Sequence, residues 1–164
     1  MRKLSAISAV VALTLSSAAS AGWLTSTQDD IFSGGQKAML IGEMDPFHAL
    51  VFDCDSERLG MALIEKSKWQ EGMERASYQL LVKVGQGTIH DFAAKGSQRN
   101  EEYVQIATSE REPLLLLLDE IRNAKGRIQV GLQNTDTDSK WSGIASSAGS
   151  TRETDRFLQA CKLE

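Results

Sequence analysis

The sequence predicts a β-rich α+β domain: antiparallel, β-sandwich-like sheet packing with about seven strands and two short helices, the C-terminal helix disulfide-linked to a strand. Three observations carry this. Short apolar runs follow a two-residue period, as in His48 to Cys54 (HALVFDC). Turn-forming clusters such as Gly34-Gly35, Asp45-Pro46 and Gly85-Gln86-Gly87 separate them. Only two stretches, Leu114 to Ala124 and the segment following Ser150, place apolar residues at helical spacing.

The chain has 164 residues, enough for one domain. Hydrophobic residues make up 41% and charged residues 24%, which excludes wholesale disorder and a fibrous repeat. The formal charge of -4 gives no basic footprint for nucleic acid. Two Cys and two His exclude a multi-cysteine zinc module.

The first residues read as an address. Arg2 and Lys3 precede an uncharged, mostly apolar run from Leu4 to Leu15, and Ala19-Ser20-Ala21 supplies a small-x-small cleavage pattern. That run would span about 18 Å as a helix, short of the ~30 Å bilayer core, which favours a cleaved leader over a retained anchor. Gly22, not Cys, follows the cut, and no twin Arg is present, so the pattern is a Sec-type signal without lipidation. Residues 1–21 are thus expected to be a signal peptide and 22–164 a single periplasmic or secreted domain without an integral membrane span.

Export changes how the cysteines read. Cys54 and Cys161 are the only two, and in an oxidising compartment an even pair most simply forms one internal bridge. It would close a loop of about 107 residues. Two buried free thiols are the alternative. Without a C-x-x-C motif, a thioredoxin-type redox role is unsupported.

Along the domain, Trp23 to Gln36 reads as an opening strand and a turn, and Ala38 to Gly42 as a short strand. In the next strand Leu50, Phe52 and Cys54 share one face. Strands follow at Leu59 to Ile64, Tyr78 to Val84, Thr88 to Phe92 and Tyr103 to Ala107. Pro113 suits a first helical turn, and Leu114, Leu117, Leu118 and Ile121 line one face of the helix it opens. Arg127 to Leu132 alternates as a strand. From Gln133 to Gly149 the chain is polar, with Trp141 and Ile144 as apolar anchors and a short strand at Lys140 to Ile144. Ser150-Thr151-Arg152-Glu153 has the form of a capping box. Phe157 and Cys161 lie four residues apart, on one face of the helix it would open.

Candidate chemistry is sparse. His48 and His90 are the only imidazoles, and neither stands in a metal-ligand spacing. Asp136 and Asp138 resemble the start of a calcium loop, but Trp141 and Ser147 occupy the positions where the Gly and Glu belong. No nucleophile-elbow, zinc-protease or phosphate-loop motif is present. No cofactor or metal site is read, and no catalytic residue is assigned.

The layout of Trp23 near the domain start, Asp29-Asp30 before the first apolar strand, a strand ending in Cys54, the leucine-rich helix leading into Arg127 to Leu132, and the closing Phe157-Leu158-Gln159-Ala160-Cys161 resembles a known group. It is similar to small secreted bacterial proteins of the TagO-like type VI secretion accessory group and, more distantly, to invasion-associated locus B proteins. The resemblance implies a β-rich periplasmic module with a disulfide and without known catalytic residues. The leading expectation is therefore a non-catalytic binding or accessory module contacting another envelope or secreted protein. A small exported hydrolase using His48 or His90 is the alternative, and an inhibitor of a secreted hydrolase is a third reading.

The leader reading has a direct check. Intact mass of the exported protein should place the N-terminus at Gly22, within a residue or two, whereas retention of Met1 to Leu15 would contradict it.

Overall fold

The computed structural model describes residues 22–163 other than Ser33 and Ser56. The leader read at residues 1–21 lies outside the described residues. The chain forms β1 (Trp23–Asp30), β2 (Gly35–Glu43), β3 (His48–Cys54) and β4 (Leu59–Glu65) as an antiparallel meander. A second meander, β5 (Ser77–Val84), β6 (Ile89–Gln98) and β7 (Val104–Thr108), joins the first by pairing β7 with β4. Helix α1 (Arg111–Arg122) returns the chain to the far side, where β8 (Ile128–Asn134) pairs with β5 and β9 (Lys140–Ala145) pairs with β8. Helix α2 (Ser150–Ala160) follows.

The fold class is the β-rich α+β class that the alternation predicts. The strands number nine rather than about seven, and they form one sheet in the order β1-β2-β3-β4-β7-β6-β5-β8-β9. Strand β6 also outruns its sequence signal. Ala93, Ala94, Lys95 and Gly96 have little strand preference of their own, but β5 pairs on one side of this run and β7 on the other.

The sheet curls into a half-barrel, and its two ends approach each other. Trp23 Nε1 of β1 donates to the Ser146 carbonyl beyond β9 at 2.6 Å. The His48 ring at the start of β3 stacks on Trp141 of β9 with centroids 4.4 Å apart. Both indoles need glycine beside them. A Cβ on Gly42 would lie 2.6 Å from the Trp23 ring, and one on Gly143 would lie 2.6 Å from the Trp141 ring.

The alternating inward residues build the core. Leu40, Leu50, Phe52, Met61, Leu80, Val82, Phe92 and Val130 line the concave face and are buried. Leu114, Leu117, Leu118 and Ile121 of α1 are wholly buried against it, as the helical period predicts, while Leu116 points to solvent. From α2, Phe157 meets Phe52 edge-on at 6.5 Å. Ile144 is not the anchor its apolar side chain suggests. It stands on the outer face and is largely exposed, and Ala145 beside it turns inward instead.

The bridge between Cys54 and Cys161 is formed, with Cα atoms 6.1 Å apart, and this displaces the two-thiol alternative. It fastens the end of β3 to the residue that follows α2.

The capping box is not formed. The N-cap position falls on Gly149, with φ +81°, so Ser150 lies inside the first turn with its hydroxyl buried and unpaired. Glu153 is drawn elsewhere. Its buried carboxylate accepts the Thr25 amide of β1 at 3.0 Å, Arg152 Nε at 2.8 Å and an Arg156 guanidinium nitrogen at 3.1 Å. Thr25 Oγ1 donates in return to the Glu153 carbonyl at 2.5 Å. Thr151 Oγ1 donates to the Arg122 carbonyl at 2.7 Å, satisfying an orphan acceptor at the end of α1. The residues that spell a cap therefore bind α2 to β1 and α1.

Burial by itself would push the Glu153 carboxyl up. The Arg152 hydrogen bond, the Thr25 amide and the charges of Arg156 and Arg152 outweigh it, so its pKa lies below the ordinary value. A carboxyl with a lowered folded pKa stabilises the fold above the unfolded pKa and loses that contribution as pH falls through the folded one.

Two outcomes follow from these ties. Cys54→Ser and Cys161→Ser should each lower unfolding stability by roughly 2–5 kcal/mol, and the double variant should lose no more than either, as read by denaturant titration. Glu153→Gln should cost about 1–3 kcal/mol at neutral pH. The gap between it and the parent should narrow as pH falls below about 4.3, the ordinary Glu value.

Candidate functional site

The two histidines occupy opposite ends of the sheet. His48 is level with Glu65, Val104 and Gln98 across successive strand pairs. Gln98 lies eight residues along β6 from His90, about 26 Å at ~3.3 Å per residue. They cannot act on one substrate atom.

Each imidazole faces one carboxylate. His48 Nδ1 lies 3.0 Å from both Asp45 oxygens, and Asp45 Oδ1 also accepts the Phe47 and His48 amides at 2.7 and 2.9 Å. Burial pushes the Asp45 carboxyl up, but the Phe47 amide and the His48 ring bring it below its ordinary value. His90 turns inward beneath α1, parallel to Phe92, with Nε2 3.0 Å from Glu120 Oε1 but without the alignment of a hydrogen bond. Among the described residues, no serine, threonine or cysteine side chain is hydrogen-bonded to either ring. Asp91, next to His90, faces outward and accepts from Gln79 Nε2 at 3.3 Å.

The helices cover only part of the concave face. At the end where β3 begins and β4 ends, a cavity of about 390 Å³ remains. Leu63, Met73, Tyr78, Ile106, Leu132 and Trp141 supply its apolar wall. Glu65, Gln70, Thr137, Ser139 and Lys140 stand around it as polar lining. The segment between β4 and β5 crosses this end, bringing Met73 onto β6. Gly96 permits the approach, because a Cβ there would lie 2.6 Å from the Met73 carbonyl oxygen. Burial, and then the charge of Asp136, raise the Tyr78 pKa.

A larger cleft of about 790 Å³ lies beside the ends of β1 to β4. It is an open trough, and the charged groups along it are already engaged. Arg99 makes a two-pronged contact with Asp53 at 2.9 and 2.8 Å, Asp55 accepts the Glu57 and Arg58 amides, and Lys37 lies 3.7 Å from Asp30. The mouth cavity is the better formed site because it is the more enclosed of the two.

No group of three or more His, Cys, Asp or Glu among the described residues could hold a metal ion. In the acidic turn, Asp136 Oδ2 accepts the Ser77 amide at 3.0 Å and Asp138 Oδ1 accepts Gln133 Nε2 at 2.7 Å, so both carboxylates tie the turn to the sheet. No described helix is long and apolar enough to cross a membrane.

Sequence reasoning passed over Met73 and Arg99. Arg99 meets Asp53 across 46 residues, and no local spacing marks a pair of that kind. Tyr78 and Leu132 were legible as inward strand residues, but alternation alone does not say which inward residues a helix leaves uncovered. A scan against protein-family models finds no match to this chain, and searches of curated proteins and of solved structures find none either.

Proposed function

We propose that the chain is an exported, non-catalytic binding module that contacts another envelope or secreted protein, as an accessory of a secretion or envelope system. The mouth cavity carries this reading. An apolar wall of Leu63, Leu132 and Trp141 inside a polar border is the arrangement that seats one large side chain of a partner while excluding water around it. The Cys54–Cys161 bridge supports an oxidising location.

The hydrolase reading rests on the Asp45–His48 pair, since His48 stacks on Trp141 at the cavity. An imidazole oriented by a carboxylate is two-thirds of a nucleophilic triad, and the third member would have to come from elsewhere.

Obstruction of the cavity separates these readings. The partner is first recovered by crosslinking in the intact envelope and then purified. Gln70→Trp and Ser139→Trp place bulk on two exposed lining residues, and each should weaken binding at least about tenfold with the melting temperature unchanged. His48→Ala and His90→Ala should leave the cellular role largely intact. A folded His48→Ala that binds the partner normally and loses the cellular role entirely would transfer the assignment to the hydrolase. A partner that proves to be a hydrolase, and loses activity when bound, would assign the chain as its inhibitor.

A further inference from the structure

We propose that His48 is a proton-operated latch: charging its ring holds Trp141 firmly in the wall of the mouth cavity, so the cavity grips a partner's side chain more tightly as the medium turns acidic. This regulation rests on the mouth cavity being the binding site.

The latch spans a seam that backbone pairing leaves open. Five strands lie between β3 and β9 in the sheet order. The curl nevertheless brings them together at the His48 ring, which stacks on Trp141 with centroids 4.4 Å and planes 29° apart. The turn before β3 reaches β9 as well, since a Cβ on Gly143 would lie 3.2 Å from Met44 Sδ. Trp141 is a wall residue of the cavity. His48 is thus a positioning residue that acts on the cavity through the indole.

The local sequence aims the ring. In Asp45-Pro46-Phe47-His48, Asp45 Oδ1 accepts the Phe47 and His48 amides at 2.7 and 2.9 Å, which fixes the carboxylate within its own turn. Both Asp45 oxygens lie 3.0 Å from His48 Nδ1. A carboxylate in that place calls for a proton on Nδ1, so the ring takes its second proton at Nε2. Burial pushes the Asp45 carboxyl up, but the Phe47 amide and the His48 ring hold it below the ordinary carboxylate value, and it stays ionised while the imidazole titrates. The charged ring then gains on two sides, as an ion pair with Asp45 and as a cation on the indole face.

The surrounding groups favour the same state. His48 pairs across the strands with Glu65 of β4, which makes no ion pair among the described residues. Lys140, beside Trp141, lies 3.3 Å from Asp138. Lys66 follows Glu65, and its amide donates to the Phe47 carbonyl at 2.7 Å. Glu43 and Tyr103 border the outer pocket that His48 and Asp45 also line. Carboxylates outnumber ammonium groups in this set. Imidazoles change charge between about pH 8 and 5. The latch's contribution is present while the ring is charged and is lost as pH rises, so the role in neutral medium does not require His48.

The first measurement takes the unmodified exported protein. Hydrogen exchange of the Trp141 indole N–H, corrected for the intrinsic pH dependence of exchange, should show at least about threefold more protection at pH 5 than at pH 8. The Trp23 indole, bonded to the Ser146 carbonyl, is the reference. His48→Phe keeps a ring on the indole but takes no proton, and its protection should be equal at both pH values. A double-mutant cycle of His48→Phe with Trp141→Leu, read by denaturant titration, should give a coupling at least about threefold larger in the folding constant at pH 5. The partner purified after crosslinking in the envelope should bind the parent at least about threefold more tightly at pH 5 than at pH 8, relative to the change seen with His48→Phe. Indole protection and coupling that do not change with pH would overturn the latch. A working latch with partner affinity of the same pH dependence in parent and His48→Phe would overturn the regulation. Binding that Ser139→Trp leaves untouched would instead overturn the cavity reading, which keeps the two failures distinct.

Discussion

The seating of α2 on the concave face is the constraint on which the rest of the molecule depends. A single curled sheet has one face to bury, and its edge strand β1 is held mainly by one neighbour. Glu153 supplies a second hold by accepting the Thr25 amide in a buried place, with Arg152 and Arg156 balancing its charge. Breaking such a contact leaves a buried donor or a buried charge without compensation, so the geometry is narrowly set. The disulfide repeats the constraint at the other end of the helix by tying Cys161 to β3. With α2 fixed, α1 packs beside it, and Phe157 and Leu117 fill the concavity from the helix side.

The two helices close one end of the half-barrel and leave the other open, and the functional reading comes from that asymmetry. At the closed end the core is continuous and the base of the β1–β2 hairpin is clamped. At the open end Trp141 and Tyr78 face a cavity bordered by the segment carrying Met73 and by the turn between β8 and β9. Arg99 is engaged with Asp53 beside the larger cleft. Apolar surface is left open in the mouth cavity, and large apolar side chains stand exposed elsewhere, among them Phe47, Ile89 and Leu116.

Most of the fold was legible because its signals are local. The alternation in His48 to Cys54 placed Cys54 inward, and the leucine spacing of α1 marked the four residues that are buried. Cysteine pairing followed from having only two of them. The failures share a cause. Ser150 to Glu153 reads as a cap because the motif is defined by four neighbouring residues, whereas Glu153 is claimed by Thr25, 128 residues away. Ile144 reads as an anchor because it is apolar, but the register of β9 faces it outward. The candidate site was the least legible part. Its wall combines residues of β4, β5, β7, β8 and β9, and which of their inward side chains stay uncovered depends on how far two helices reach across a curled sheet.

Native-state hydrogen exchange tests the central claim, a sheet closed by α2 at one end and open at the other, most directly. The account predicts the slowest exchange in α2 and in the stretches of β1 to β3 beneath it, the Thr25 amide among them. Residues 66–76, which cross the open end, should exchange by local opening at far lower free energy. Slow exchange across 66–76 together with rapid exchange of α2 and the Thr25 amide would contradict it.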